Sequence, residues 1–301
     1  MANQIALAEK YLPLLDEVYK RGSLTAVLDA TSNKVKFVGG NKVEIFKTNV
    51  EGLGDYSRNS GFVTGDVNAS WEPMVLTKDR GRSFQVDAMD DEETMGMAFG
   101  TLASEFLRTQ VIPELDAYRL SKYASTPGAT VVSGAVSSAS KIKDLIFDAE
   151  EKMGDDEVPA EGRLLFVSEK VYKLLKGEIT VVVQNGQNGY NYSIETFDGM
   201  RVIKVPKNRF MTGITLLDGK SSGQKAGGYT KKNGESYINF MIVHPSAVIQ
   251  TVKHVVPRIF TPNENINADA YKFDYRVYHD AFTEENKVAG IYVHKDTTSF
   301  Q

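Results

Sequence analysis

The feature that most constrains the fold is a long polar, glycine-rich segment between two strand-like sequences. Val43–Lys47 and Ser83–Ala88 both have the residue composition of strands. The segment between them ends in the charged run Lys78-Asp79-Arg80-Gly81-Arg82. A loop this long is uncommon inside a compact domain and usually has a function. Residues 42–89 are therefore predicted to form an arm that leaves the body of the subunit and returns.

The strongest helical pattern follows this loop. It opens with Asp90-Asp91-Glu92-Glu93, four carboxylates that suit the positive end of a helix dipole. Apolar residues at helical spacing continue to about Tyr123, which predicts a helix roughly 50 Å long. Pro113 cannot donate a hydrogen bond to the carbonyl of Thr109, so the helix is predicted to bend there. A second helix, kinked at Pro13, is predicted over residues 3–20.

Residues 130–235 alternate between helical and strand patterns, which predicts a compact α/β domain. A helix is predicted over Lys141–Lys152 and a strand over Arg163–Val167. Ser168 is expected to cap the next helix, Glu169–Lys176. Asp198-Gly199 between two apolar runs predicts a tight hairpin.

The last part of the chain is predicted to be mostly strand. The predicted strands are Tyr237–His244, Tyr271–Phe282 and Val288–His294. A turn at Thr283–Asn286 would join the last two as a hairpin and place His279 and His294 on it. A packed or solvated histidine pair is favoured there over a functional site.

Composition excludes several classes of function. The 301 residues suggest about two domains. With 35 Lys and Arg against 39 Asp and Glu, the net charge of -4 does not favour charge-driven binding to nucleic acid or to an anionic membrane. The absence of cysteine excludes disulfides, thiolate nucleophiles and cysteine metal sites. No apolar run approaches the ~20 residues of a spanning helix, so a soluble protein made in the cytoplasm is expected.

No catalytic, cofactor-binding or metal-binding residue is predicted. Gly219-Lys220-Ser221-Ser222-Gly223 matches the nucleophile-elbow motif, which needs a strand before it and a helix after it. Gln224–Gly228 cannot continue as a helix, so a surface loop is favoured and a serine hydrolase using Ser221 is a remote alternative. The acidic run at Asp90 is interpreted as a helix start rather than a cation site. The four histidines lack metal-ligand spacing.

The only tryptophan, Trp71, lies within the polar loop beside Glu72-Pro73. An indole exposed to solvent is unexpected, so Trp71 packs either on the strands of the loop or on another subunit. The second interpretation is favoured. Lys78, Arg80 and Arg82 in the same loop are also predicted to make inter-subunit contacts.

The order of these elements resembles that of one family of shell proteins. The segments with the strongest resemblance are Phe84–Thr94, Phe106–Asp116 and Tyr275–Tyr292. Together with the order of the other elements, they resemble the major capsid protein of tailed bacteriophages, with its α+β fold of the Hong Kong 97 type. The resemblance spans the whole chain.

This resemblance implies a division of the chain into four parts. Residues 1–41 would be an N-terminal arm, and residues 42–89 the extended β-loop that lies over a neighbouring subunit. Residues 90–129 and 236–301 would form the peripheral domain with its long spine helix. Residues 130–235 would form the axial domain around the five-fold and six-fold axes.

The resemblance also implies a function and partners. The chain would assemble into hexamers and pentamers of an icosahedral head shell that encloses double-stranded DNA, held only weakly and non-specifically. Some relatives carry a cleavable scaffolding segment before the loop, but only about forty residues precede it here. The resemblance therefore implies a separate scaffolding protein, unless the chain is a processed or trimmed form, together with a portal and decoration proteins. Assembly would take place in the host cytoplasm and the product would be the virion, with no membrane partner. Lys78 is a possible crosslinking lysine, but no partner asparagine matches. The alternative is the shell of an encapsulin-like nanocompartment.

Overall fold

The computed structural model describes residues 22–29, 35–37, 42–59, 61–93, 97–178 and 196–297. The helix predicted over residues 3–20 lies outside the described residues. Residues 26–29 form a short 3-10 turn.

The described residues form three larger sheets, one two-stranded sheet and five helices. The strands are β1 Val35–Phe37, β2 Lys42–Val50, β3 Val67–Val75, β4 Lys78–Asp87, β5 Thr130–Ser133, β6 Leu164–Ser168, β7 Thr196–Phe197, β8 Met200–Val205, β9 Ile214–Leu216, β10 Tyr229–Lys231, β11 Ile238–Val243, β12 Val248–Phe260, β13 Ala270–Thr283 and β14 Ile291–Lys295. The helices are α1 Ala88–Glu93, α2 Met97–Phe106, α3 Ile112–Ala124, α4 Ala139–Asp155 and α5 Glu169–Glu178. A π-helical stretch, Leu107–Val111, joins α2 to α3, so the helical run is continuous from Met97 to Ala124.

A six-stranded sheet forms the centre of the fold, in the order β5-β14-β11-β6-β8-β7. Its two central strands, β6 and β11, are buried along their whole length. Alternate residues of β11 pack on opposite faces: Met241 and Val243 in one core, Phe240 and Ile242 in another. Both faces are covered because helices lie on each side, as the near-continuous apolar sequence of these strands requires.

The helices on one face of this sheet follow the predicted pattern. The predicted face of α4 is buried: Ile142, Ile146, Ala149 and Met153. Ser168 caps α5, because its hydroxyl accepts a hydrogen bond from the amide of Val171 at 3.4 Å. Asp198 and Gly199 have φ of 44° and 78°, so the predicted tight hairpin between β7 and β8 is confirmed.

A second sheet, in the order β12-β13-β4, packs against the helical run. Strand β4 pairs with β13 along its length, from Lys78 opposite His279 to Asp87 opposite Ala270. Leu107, Val111 and Leu115 from the helical run pack on Phe273, Tyr275 and Val277 of β13. Leu120 and Tyr123, further along the run, pack in one core of the six-stranded sheet. One helical run therefore connects the two sheets.

The hairpin predicted at the end of the chain is wrong. Strands β13 and β14 belong to different sheets, because the 3-10 turn Glu285–Gly290 redirects the chain. His279 therefore lies against Tyr118, with ring centroids 5.4 Å apart, and His294 stacks on Phe240 at 5.1 Å. The two histidines do not face each other.

The sheets also cross the domain boundary predicted at residue 235. Strands β11 and β14, from the predicted peripheral domain, are hydrogen-bonded into the same sheet as β6 and β8 of the predicted axial domain. Strands β12 and β13 lie in the other sheet, on the helical run. Residues 236–301 therefore contribute to both sheets.

Candidate assembly surface

Residues 42–75 form a β-arm, which is shorter than the extended loop predicted over 42–89. Strand β2 pairs with β3 in register, from Lys42 opposite Val75 to Val50 opposite Val67. With β1 on the other side of β2, they make a sheet that, within the described ranges, shares no strand with the other sheets. The segment Lys78–Asp87 is part of the body, because it is strand β4 of the sheet on the helical run.

The tip of the β-arm, residues 51–66, presents apolar side chains to solvent. Phe62 is 87% exposed, and its ring lies 4.9 Å from that of Tyr56. The backbones of Ser57 and Gly61 close the turn with two hydrogen bonds of 2.8 and 3.1 Å. The exposed large apolar residues of the tip are Leu53, Tyr56, Phe62 and Val63. A concentration of apolar surface on a monomer marks an interaction site.

Strand β3 extends this apolar surface from the tip toward the body. Val67, Trp71 and Val75 lie on one face of the strand, and Trp71 is 47% exposed. Trp71 pairs with Phe46 across β2 and β3. About half of the Trp71 surface is accessible. Its contact with another subunit stays a prediction.

The three charged residues predicted to contact another subunit are engaged within the chain. The Lys78 Nζ lies over the Tyr118 ring, 5.7 Å from its centroid. Arg82 donates from Nη1 to the carbonyl of Lys225 at 3.1 Å. Lys78 and Arg82 therefore belong to the body, whereas the sequence predicted that they lie in the extended loop.

Arg80 joins three elements of the body. Its Nε and Nη2 bind both carboxylate oxygens of Glu114 on α3, at 2.6 and 3.1 Å. Its Nη1 and Nη2 donate to the carbonyls of Leu217 and Gly228, at 2.8 and 3.3 Å. A bidentate arginine–carboxylate pair fixes geometry as well as charge. Arg80 therefore holds the loop between β9 and β10 against β4 and the helical run.

This loop borders a cavity of about 640 Å³. The π-helical stretch and Phe106 line one side, and Phe84 and Tyr275 of the second sheet line another. Its charged lining residues are two arginines and three acidic residues: Arg80, Arg82, Glu105, Glu114 and Asp218.

Pro113 lies at the start of α3, directly after the π-helical stretch. The amide of Ile112 donates to the carbonyl of Leu107, five residues earlier, so the helix is wider at this point. The sequence predicts a bend near Thr109, a residue that lies in the π-helical stretch. The bend itself stays a prediction.

Ser221 does not have the structural context of a nucleophile elbow. Its hydroxyl donates to Asp218, whose carboxylate also accepts from the backbone amides of Lys220 and Ser221, at 2.8 and 2.9 Å. These hydrogen bonds, the one from the Ser221 hydroxyl first, lower the pKa of Asp218 to about 2. Residues 219–228 form turns rather than the helix that the motif requires. The arrangement is that of an exposed polar turn.

Within the described ranges, no cluster of three or more histidine, aspartate and glutamate side chains could hold a metal ion. Among the helices in those ranges, none combines the length and the apolar character needed to cross a membrane.

The sequence gives little indication of the residues that make the β-arm tip apolar. Leu53, Phe62 and Val63 are isolated apolar residues in a polar, glycine-rich stretch. The tip has no helix or strand periodicity, so no spacing pattern marks these residues as functional. The one indication in the sequence is that apolar residues occur in a long polar loop.

No protein-family model matches the chain, and no curated protein matches its sequence. Solved structures match its fold. A structure from Mycobacterium phage Che8 aligns with a TM-score of 0.59 at 16% identity, covering 85% of each chain. The capsid structure of the cyanophage P-SCSP1u aligns with a TM-score of 0.59 at 12% identity, covering 89% of this chain and 87% of the other. A virus-like particle from Pyrococcus furiosus aligns with a TM-score of 0.56 at 14% identity, covering 95% and 98%.

These alignments span nearly the whole of each chain, so they compare complete folds. The chain has the mixed α+β fold of phage capsid subunits, and the fold predicted from the order of its elements is confirmed.

Proposed function

We propose that the chain is the major capsid protein of a tailed bacteriophage and assembles into the icosahedral head shell that encloses double-stranded DNA. The observation that carries the proposal is the fold shared with the capsid of a phage over about nine-tenths of the chain. The exposed apolar β-arm supports it independently, because such a surface needs a partner. In this function the protein has a structural rather than a catalytic role.

The β-arm gives this assembly a physical driving force. Burying a large apolar side chain contributes about 1.5–3 kcal/mol. The tip and the exposed face of β3 together offer seven such residues: Leu53, Tyr56, Phe62, Val63, Val67, Trp71 and Val75. Because every subunit of a shell carries the same arm, this contribution repeats at every contact between neighbours.

The test is negative-stain electron microscopy of the purified full chain and of variants at the β-arm tip. Wild type is expected to form closed particles or rings. Phe62→Ser is expected to remain a folded, unassembled subunit, because residue 62 is exposed and its loss removes no core contact. Phe62→Leu keeps an apolar side chain and is the matched control that should assemble. A wild-type protein that stays monomeric at high concentration, both alone and after co-expression with a scaffolding protein, would refute the proposal.

A nanocompartment shell is the second candidate, because the structures that share the fold include a virus-like particle, but this match does not support it better than a phage head. Particle diameter and contents distinguish the two functions. A compartment would be smaller and would copurify with a cargo protein, whereas a phage head would be larger and would package DNA when the other phage components are present.

The proposed phage function includes further partners and a location. The subunit would form pentamers and hexamers with itself, assemble in the host cytoplasm on a separate scaffolding protein, and meet a portal and decoration proteins. The net charge of -4 supports weak, non-specific contact with the packaged DNA. Co-expression with the neighbouring phage genes, followed by mass spectrometry of purified particles, tests each partner.

A further inference from the structure

The root of the β-arm is tied to a single buried carboxylate. Leu76 and Thr77 connect β3 of the arm to β4 of the body. The amide and the hydroxyl of Thr77 both donate to Oδ2 of Asp280, each at 2.9 Å. Asp280 lies on β13 and is 2% exposed. The point where the chain passes from arm to body is therefore held by a side chain of the body.

The other oxygen of Asp280 binds the helical run. Tyr118 of α3 donates its hydroxyl to Oδ1 at 2.6 Å, and the amide of Ala281 donates to the same oxygen at 2.9 Å. A buried carboxylate is costly unless hydrogen bonds replace its hydration, and here four donors do so. Each donor of this set is directional, so the set defines one position of Thr77 relative to α3.

Neighbouring contacts reinforce this position. The Tyr278 hydroxyl donates to the carbonyl of Leu76 at 2.8 Å. His279 packs edge-on against the Tyr118 ring, and its burial, followed by the nearby charge of Arg119, lowers its pKa to about 4. The imidazole is therefore neutral at physiological pH and packs as an apolar neighbour of the tyrosine.

We propose that Thr77, Tyr118 and Asp280 form a latch that sets the direction in which the β-arm leaves the body. The arm sheet shares no strand with the other sheets of the described residues, and these side-chain bonds lie at the two-residue segment that joins β3 to β4. The nine residues of β3 make a lever of about 30 Å, and a rotation of about 10° at the root moves its far end by about 5 Å. Thr77, Tyr118 and Asp280 are thus positioning residues for the exposed apolar tip.

This inference concerns the isolated chain and holds whether or not copies assemble into a shell. It is tested on the full chain, kept unassembled at low concentration. Because the chain contains no cysteine, Asn59→Cys at the arm tip and Lys122→Cys on α3 provide two unique sites for spin labels. Pulsed electron paramagnetic resonance then gives the distribution of distances between arm and body.

The variants remove one donor at a time. Thr77→Val deletes a hydroxyl while keeping the side-chain shape, and Tyr118→Phe deletes only the phenol oxygen. Both are expected to broaden the distance distribution and shift its mean. Hydrogen exchange at the Thr77 amide is expected to be about tenfold faster in Tyr118→Phe, since Asp280 loses one of the hydrogen bonds that fix its position.

Two controls separate the latch from a general loss of stability. Thr77→Ser restores the hydroxyl and should restore the wild-type distribution. Tyr172→Phe alters a buried tyrosine in the core beneath α5 and should leave the distribution unchanged. The latch is refuted if Tyr118→Phe keeps the wild-type distribution, or if Thr77→Ser is as broad as Thr77→Val. Were Thr77→Val to fail to fold, the comparison of Tyr118→Phe with Tyr172→Phe would decide alone.

Discussion

The β-arm and the six-stranded sheet use apolar residues in opposite ways. In the sheet, strands β6 and β11 are buried along their whole length between layers of the same chain. In the arm, the tip and one face of β3 expose large apolar side chains. Burial in the sheet therefore stabilises the folded subunit. The apolar side chains of the arm would contribute free energy only when another molecule buries them. Stability and assembly are consequently separable in this chain.

Two phenylalanines give the sharpest test of this separation. Phe240 is fully buried, and its ring stacks on those of Tyr292 and His294. Phe240→Ala is expected to lower the free energy of unfolding by about 3–5 kcal/mol. Phe62→Ala, at a residue 87% exposed, is expected to change it by less than about 0.5 kcal/mol. Denaturant unfolding of the unassembled subunits measures both.

Assembly should show the reverse order. Phe62→Ala should reduce the yield of closed particles although its subunit is as stable as wild type. Equal losses of stability in the two variants would mean that the arm folds as part of the body. That result would contradict the separation of stability from assembly.

Protease access offers a second way to compare the regions. The sequence alone places the susceptible segment in residues 51–82, but the strand pairing of β3 and β4 narrows it to the tip, residues 51–66. Limited proteolysis of the unassembled subunit should cut there first, since local opening is easiest where backbone bonds are few. Mass spectrometry of the fragments should show that assembly suppresses this cut. Cleavage that is equally fast in particles would show that the tip contacts no neighbour.

The regions that the sequence predicts well are those with internal periodicity. The buried face of α4 and the alternation of β13 follow directly from side-chain spacing. The two long strands that were missed, β3 and β12, each contain a proline, Pro73 and Pro257. Both lie at the edge of their sheets, where a missing amide hydrogen costs no ladder bond. A proline in the sequence argues against a strand. These two strands form because each lies at the edge of its sheet, which the local sequence does not reveal.

The contacts of the charged run also could not be predicted from local sequence. The sequence marked the charged run at Lys78–Arg82 as part of the loop, and charge alone favoured contact with another subunit. The partner of Arg80 is Glu114, which lies 34 residues away and meets it only after β4 joins the second sheet. Such a pairing depends on tertiary structure, so no local pattern could reveal it.

The helical run connects the two sheets, and Pro113 lies in the part of the run that packs on the second sheet. In an ordinary helix interior, Pro113→Ala would stabilise by up to ~3 kcal/mol. Because the π-helical stretch directly before the proline already departs from the regular hydrogen-bond spacing of an α-helix, the expected gain is below about 1 kcal/mol. Pro113→Ala is still expected to assemble into more aberrant particles, or into particles that expand less completely. Thermal melts and microscopy on one preparation test both effects. A less stable variant with wild-type particles would contradict this interpretation.

The smallest expected effect lies in the body, at Glu150 on α4. Burial, followed by the charge of Asp198 at the hairpin turn and a hydrogen bond to it, raises the pKa of Glu150 from 4.5 to about 7. The folded state therefore binds more protons than the unfolded chain between these values, so the contribution of Glu150 to stability falls as pH rises from about 4.5 to 7.

Glu150→Gln removes this dependence. The variant is expected to leave the free energy of unfolding unchanged near pH 4 and to raise it by about 1 kcal/mol or less at pH 8. The gain is small because Glu150 is only partly buried and solvent screens its charge. Urea unfolding at the two pH values measures the difference, with Glu151→Gln, the exposed neighbour, as the matched control. Because Glu150 belongs to the body, Phe62→Ala should leave the pH difference unchanged. A gain of equal size at both pH values would show that the glutamate acts through packing and not through its charge.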